Sequence, residues 1–157
     1  MNQPTIRPVQ QDDLPQLSAL WYEKAALLAA QDTRLRLHPD ARGEWQQVAS
    51  TWVTASERVF LAAFQDGTAI GYLVGAVQPA PPGYLPALLG SIEDLTLDVH
   101  RFEGGSARAL VAAARSAFHA QGVEQIVVRV PRRSAIEQAF WRAYGAAQWM
   151  ESLWIRS

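Results

Sequence analysis

Two apolar runs, VFLAAFQ (59–65) and TAIGYLVGAVQ (68–78), flank an Asp66-Gly67 pair. Asp-Gly between apolar runs predicts a two-residue hairpin turn, because both central residues must take positive φ. The flanking runs are therefore expected to pair as antiparallel neighbours. After the proline-rich segment PAPPGYLPALLG (79–90), a third run, SIEDLTLDV (91–99), alternates in polarity. Strict alternation puts Glu93, Leu95, Leu97 and Val99 on one face and Asp94, Thr96 and Asp98 on the other. Three strands in succession require an antiparallel segment, so a regular doubly wound sheet is excluded.

Helices surround this segment. TIRPV (5–9) reads as a short opening strand. Asp12 or Asp13 then opens a helix, with Pro15 in its first turn, where a missing N–H costs nothing. Leu17, Leu20, Trp21 and Leu28 share one face of it. A polar stretch (31–43) leads to a second helix striped by Trp45, Val48, Ala49, Trp52 and Val53. Beyond Gly104-Gly105, a third helix buries Ala107, Leu110, Val111, Ala114 and Phe118 and stops near Gly122. VEQIVVRV (123–130) reads as a strand ended by Pro131. Ser134 and Glu137 form a capping box for a last helix that Gly145 ends. QWMESLWI (148–155) reads as a final strand. The order β-α-α-β-β-β-α-β-α-β predicts one α/β (α+β) domain over 1–157. Its sheet is expected to be mixed, twisted and mostly antiparallel, six- to seven-stranded, with helices on both faces.

Composition narrows the chemistry. The net charge of −1 gives no broad field for nucleic acid or an anionic membrane. The absence of cysteine removes disulfides, thiolate metal sites and a thiol nucleophile together. The three histidines, His38, His100 and His119, sit at unrelated spacings, so no metal site is expected. No Gly-x-Ser-x-Gly elbow and no Gly-Lys-Ser/Thr loop occurs. The polar start MNQPTIRPVQQDD lacks a signal core, and no apolar run approaches the roughly 20 residues of a membrane helix. A cytoplasmic protein is expected. Lys24 is the lone lysine beside thirteen arginines, which reads as compositional bias.

Two glycines between a strand and a helix serve either as a tight turn or as a phosphate cradle. The residues alone leave both open. Their setting is more specific. LTLDVHRFEGGSARALV (95–111) resembles the strand–loop–helix segment of the GNAT superfamily of N-acetyltransferases. The family signature, Gln/Arg-x-x-Gly-x-Gly/Ala, falls on Phe102, Gly105 and Ala107. Its second half matches; at its first position stands Phe102, with Arg101 next to it. SAIEQAFWRAYGA (134–146) and the start IRPVQQDDLPQLSAL (6–20) also resemble that family.

The resemblance implies acetyl-CoA as the acyl donor. The amides of Gly104, Gly105, Ser106, Ala107, Arg108 and Ala109 would cradle its pyrophosphate, since a helix start offers unsatisfied N–H groups and a positive dipole end. The strand edge at Leu97 and Val99 would hold the pantetheine arm. Ser134 stands in the family's usual Asn slot and Trp141 in its usual Tyr slot. The resemblance places Glu93 as the general base. Indole N–H does not act as an acid, so Tyr144, one helical turn from Trp141, is the stand-in proton donor. The implied reaction moves an acetyl group to a primary amine of a small molecule or peptide. Direct attack in a ternary complex is expected, because no cysteine can carry the acyl group. A non-catalytic acyl-CoA-binding module is the alternative, and a homodimer through the last strand is a further expectation.

Overall fold

A computed structural model describes residues 3–101 and 104–157, and Phe102 lies outside the described residues. One five-stranded sheet runs β1 (Thr5–Pro8), β2 (Arg58–Gln65), β3 (Thr68–Pro79), β4 (Leu88–Leu97) and β5 (Ile126–Val128), in that spatial order. The first four strands pair antiparallel, and β4 pairs parallel with β5. The β2–β3 hairpin closes as expected. Asp66 and Gly67 have φ of 50° and 77°, and Gln65 pairs with Thr68.

Helices cover both faces. α1 (Leu14–Gln31) and α2 (Ala41–Trp52) close one core around Leu14, Leu17, Trp45, Ala49, Phe60 and Tyr72. α3 (Ser106–Ala120) and α4 (Ala135–Ala143) close the other around Leu73, Ile92, Leu110, Val111, Phe118 and Trp141. The expected apolar face of α3 is buried in full. The α2 stripe is narrower than expected, since Val48 faces solvent.

Four expectations are corrected. The sheet has five strands among the described residues, because 148–155 forms no strand. That segment leaves Trp149, Met150, Leu153, Trp154 and Ile155 exposed. β4 ends at Leu97, so Val99 lies in a turn and is 66% exposed. The cause is Asp98, whose Oδ1 accepts from the His100 N–H at 2.9 Å and folds the backbone over. Asp13 stands at the α1 N-cap without capping it. Its carboxylate instead takes Arg7 at 2.7 and 2.9 Å and the Gln10 N–H at 2.8 Å. Finally, Ser134 caps α4 by accepting from the Glu137 N–H, but Glu137 does not complete the box. The Ser134 N–H goes to the Pro131 carbonyl, and the Glu137 carboxylate reaches Lys24.

Candidate functional site

The site begins with a break in the β3–β4 register. Val74 pairs with Asp94, whereas Gly75 pairs with Ile92. Glu93 is thus the extra residue of a β-bulge, and alternation inverts there. Ile92 packs in the α3-side core and Leu95 packs against it. Glu93 and Asp94, between them, both open to the α1 side. They line one cavity of about 460 Å³ with Trp21, Lys24, Ala25 and Leu28 of α1 and Arg129, Val130 and Pro131. The expectation that Glu93 and Asp94 face opposite ways, with Glu93 among Leu95 and Leu97, is overturned by this bulge. Gly75 sits opposite it, where a Cβ would collide with the Ser91 carbonyl and stand 2.9 Å from Phe118 Cζ.

The second element is a divergence of strands. β5 pairs with β4 only along Gly90, Ser91 and Ile92, and the Arg129 N–H to Ile92 O bond at 3.0 Å closes the ladder. Beyond that point β4 continues to Leu97 with its outer edge unpaired by β5. Asp98 N–H donates to Ile70 O on β3. By alternation the Leu95 backbone therefore faces the open edge.

Charges knit this corner together. Glu93 Oε2 accepts from Arg58 Nη1 at 2.7 Å, and the Arg58 guanidinium lies over the Trp52 ring. Lys24 Nζ donates to Asp94 Oδ1 at 2.7 Å and to Leu95 O at 2.9 Å, and lies 3.3 Å from Glu137 Oε1. Asp94 also accepts from the Tyr72 hydroxyl at 2.5 Å and from Thr96. Burial, reinforced by the Asp94 charge and hydrogen bond, pushes the Tyr72 hydroxyl well above its ordinary pKa, so it stays a donor. Trp21 stacks on Trp45 at 5.8 Å and also lines a second cavity of about 360 Å³ with His38 and Glu44.

The third element is the start of α3. Gly105 is its N-cap at φ 122°, a conformation that glycine alone takes readily, and no side chain caps the helix. The first helical bond runs from Ala109 N–H to Gly105 O. The amides of Gly105, Ser106, Ala107 and Arg108 thus precede the helical ladder. Among the described residues, a Cβ built on Gly104 or Gly105 meets nothing within 4 Å beyond its chain neighbours. A row of N–H donors led by glycines without side chains is the donor set that a pyrophosphate needs.

The remaining expected residues separate. Leu97 ends β4, half-buried against the α3-side core. Ser134 is fully explained as a cap. Trp141 is buried in that same core, and Tyr144 packs beside it against Phe140. The guanidinium groups of Arg108 and Arg115 lie 5.8 and 5.9 Å from the Tyr144 ring. Tyr144 thus belongs to the α3 side, whereas Glu93 opens to the α1 side; the structure does not bring this pair together. Lys24, Arg58, Tyr72, Thr96 and Glu137 are site residues to which the sequence reading assigns no site role. The isolated lysine among arginines was a signal that could have found the first.

No protein-family model matches this chain, and no curated protein matches it. Solved structures do. The tetramutant of BH1408 protein from Bacillus halodurans superposes with a TM-score of 0.85 at 18% identity, covering 98% of this chain and 99% of that one. An aminoglycoside antibiotic 6'-N-acetyltransferase from Acinetobacter haemolyticus gives 0.77 at 16% identity, covering 98% and 97%. A predicted acetyltransferase with acetyl-CoA from Clostridium acetobutylicum gives 0.77 at 14% identity, covering 98% and 96%. With the splayed β4–β5 pair and the glycine-led α3, these matches establish that the chain has the GNAT N-acetyltransferase fold.

Proposed function

We propose that the protein is an acetyl-CoA-dependent N-acetyltransferase acting on a primary amine. One observation carries this reading: the open β4 edge leads from a cavity holding two carboxylates to a glycine-led helix start whose Ser106, Ala107 and Arg108 amides precede the helical ladder. When bound, acetyl-CoA supplies an activated acetyl group as a thioester. The amides of Gly104 through Arg108 hold the pyrophosphate; the expected Ala109 amide is not among them, because it already donates to the Gly105 carbonyl. The backbone of Leu95 and Leu97 at the open edge holds the pantetheine arm in the manner of an added strand.

Acceptor chemistry falls to the cavity. An alkylammonium has a pKa near ~10 and must lose a proton before it can attack. Glu93 is the proposed base, directly or through water, and Arg58 fixes its orientation. Asp94 stands next to it in the same cavity. The acceptor enters between α1 and the 129–131 segment, where Trp21 and Leu28 give apolar walls. The expected proton donor, Tyr144, is not part of this cavity, so the leaving thiolate is proposed to take its proton from water or from the base-held proton.

The buried Trp141 favours a second reading, an acyl-CoA-binding module without turnover. Both readings require coenzyme A binding, and thiol release with a panel of primary amines separates them. Saturable release that vanishes in Glu93→Gln supports the enzyme. Binding without release for any amine supports the module.

A further inference from the structure

We propose that Lys24 is an acetylation site of the chain itself, modified from its own bound acetyl thioester. The inference rests on the acetyl-CoA reading above and names an acceptor within it.

Three observations converge on this side chain. Lys24 Nζ sits at the open edge of β4, where it holds the Leu95 carbonyl at 2.9 Å. That edge is the one assigned to the pantetheine arm, so the amine lies beside the path of the thioester. Its neighbours are proton acceptors: Asp94 Oδ1 at 2.7 Å and Glu137 Oε1 at 3.3 Å. The third observation is the residue type. The other thirteen of the fourteen Lys and Arg side chains are arginine. A guanidinium would bridge two carboxylates better, through its fork of donors, and is never deprotonated. The ammonium is the group that becomes a nucleophile on losing a proton. At this one place the chain carries a side-chain amine.

The step balances without any further reactant. Lys24 Nζ gives one proton to the Asp94 carboxylate. Its lone pair then attacks the thioester carbonyl carbon. The N–C bond forms, the C–S bond breaks, and the thiolate departs with the second amine proton as free thiol. The product is a neutral amide that keeps one N–H. It no longer bridges Asp94 and Glu137 as a cation, so the tie between α1, β4 and α4 loosens. Acetylation thereby alters the very cavity that receives acceptors.

The test is mass spectrometry of the whole chain incubated with acetyl-CoA, with calorimetry of coenzyme A binding alongside. The expected result is a gain of one acetyl group, mapped to the peptide containing Lys24. Its rate should be independent of protein concentration and at least about 10-fold faster than in the urea-unfolded chain, as expected for a pre-positioned group. Lys24→Arg should gain none at that peptide and still bind coenzyme A. Coenzyme A binding with Lys24 left unmodified overturns this proposal alone. No binding and no modification overturns it together with the acetyl-CoA reading. Modification as fast in the unfolded chain overturns it too, because the fold then contributes nothing.

Discussion

Glu93 and Asp94 are consecutive residues of one strand, yet both open into the same cavity, because the bulge between Val74 and Gly75 gives β4 one residue more than its partner. A regular strand would have sent one carboxylate to each face of the sheet. The bulge instead concentrates two acids, Lys24 and the unpaired edge of β4 in one corner, at the point where β5 leaves the sheet.

Glu93→Gln tests the role of that corner. The proposed base loses its proton-accepting form while its shape and its contact with Arg58 persist. The expected outcome is a fall in kcat of about 100-fold or more. Steady-state kinetics across pH, with an amine that the wild type accepts, checks it. An unchanged rate and profile removes Glu93 from the chemistry.

The bulge itself is tested at Gly75. A methyl there meets the Ser91 backbone and the Phe118 ring, and the strand must shift to admit it. Gly75→Ala should cost about 1–3 kcal/mol, the usual penalty of overpacking a closed core. Urea unfolding measures it, and a change below the experimental error would show that β3 and β4 adjust freely.

Tyr72 and Asp94 make a prediction in alkali. The folded-state pKa of Tyr72 lies well above its ordinary value of 10.0, chiefly through burial. The stability linked to this proton is therefore complete below the unfolded pKa and is lost as pH rises toward the folded one. An absorbance titration of the folded protein should therefore show a late-ionising step that belongs to Tyr72. Tyr72→Phe should remove the late step and leave Asp94 short of a donor, at about 1–3 kcal/mol.

Acid acts through Asp13. Its hydrogen bonds with the Arg7 guanidinium, opposed in part by burial, hold its pKa below the ordinary carboxylate value. A lowered folded pKa contributes stability above the unfolded pKa, and that contribution is lost as pH falls through the folded one. Asp13→Asn should therefore lower Tm at neutral pH, and the gap from wild type should close on acidification. A gap that stays constant with pH would exclude the Arg7 pairing as its cause.

What the sequence reveals is local. The Asp66-Gly67 hairpin, the buried face of α3 and the Gly105 conformation follow from residue type and period, because each depends on neighbours along the chain. The bulge at Glu93 depends on how β4 meets β3, and alternation read along one strand does not encode its partner's register. Lys24 met Asp94 and Glu137 only once α1, β4 and α4 had packed. The 148–155 segment has strand-like residues, but the structure shows no strand there. The expected Tyr144 role failed to meet Glu93 because α4 lays its aromatic residues on the opposite side of the sheet.

Acetyl transfer requires coenzyme A to bind at the start of α3, and Gly104 gives a direct probe. Among the described residues, a Cβ at Gly104 meets nothing within 4 Å beyond its chain neighbours. Gly104→Val should leave stability within about 0.5 kcal/mol of wild type, while its side chain fills the space in front of the amides. In calorimetric titration with coenzyme A, the wild type should bind at one saturable site, and Gly104→Val should bind at least about 10-fold more weakly, roughly 1.4 kcal/mol. No saturable heat with the wild-type chain, or equal affinity in both, would contradict the account.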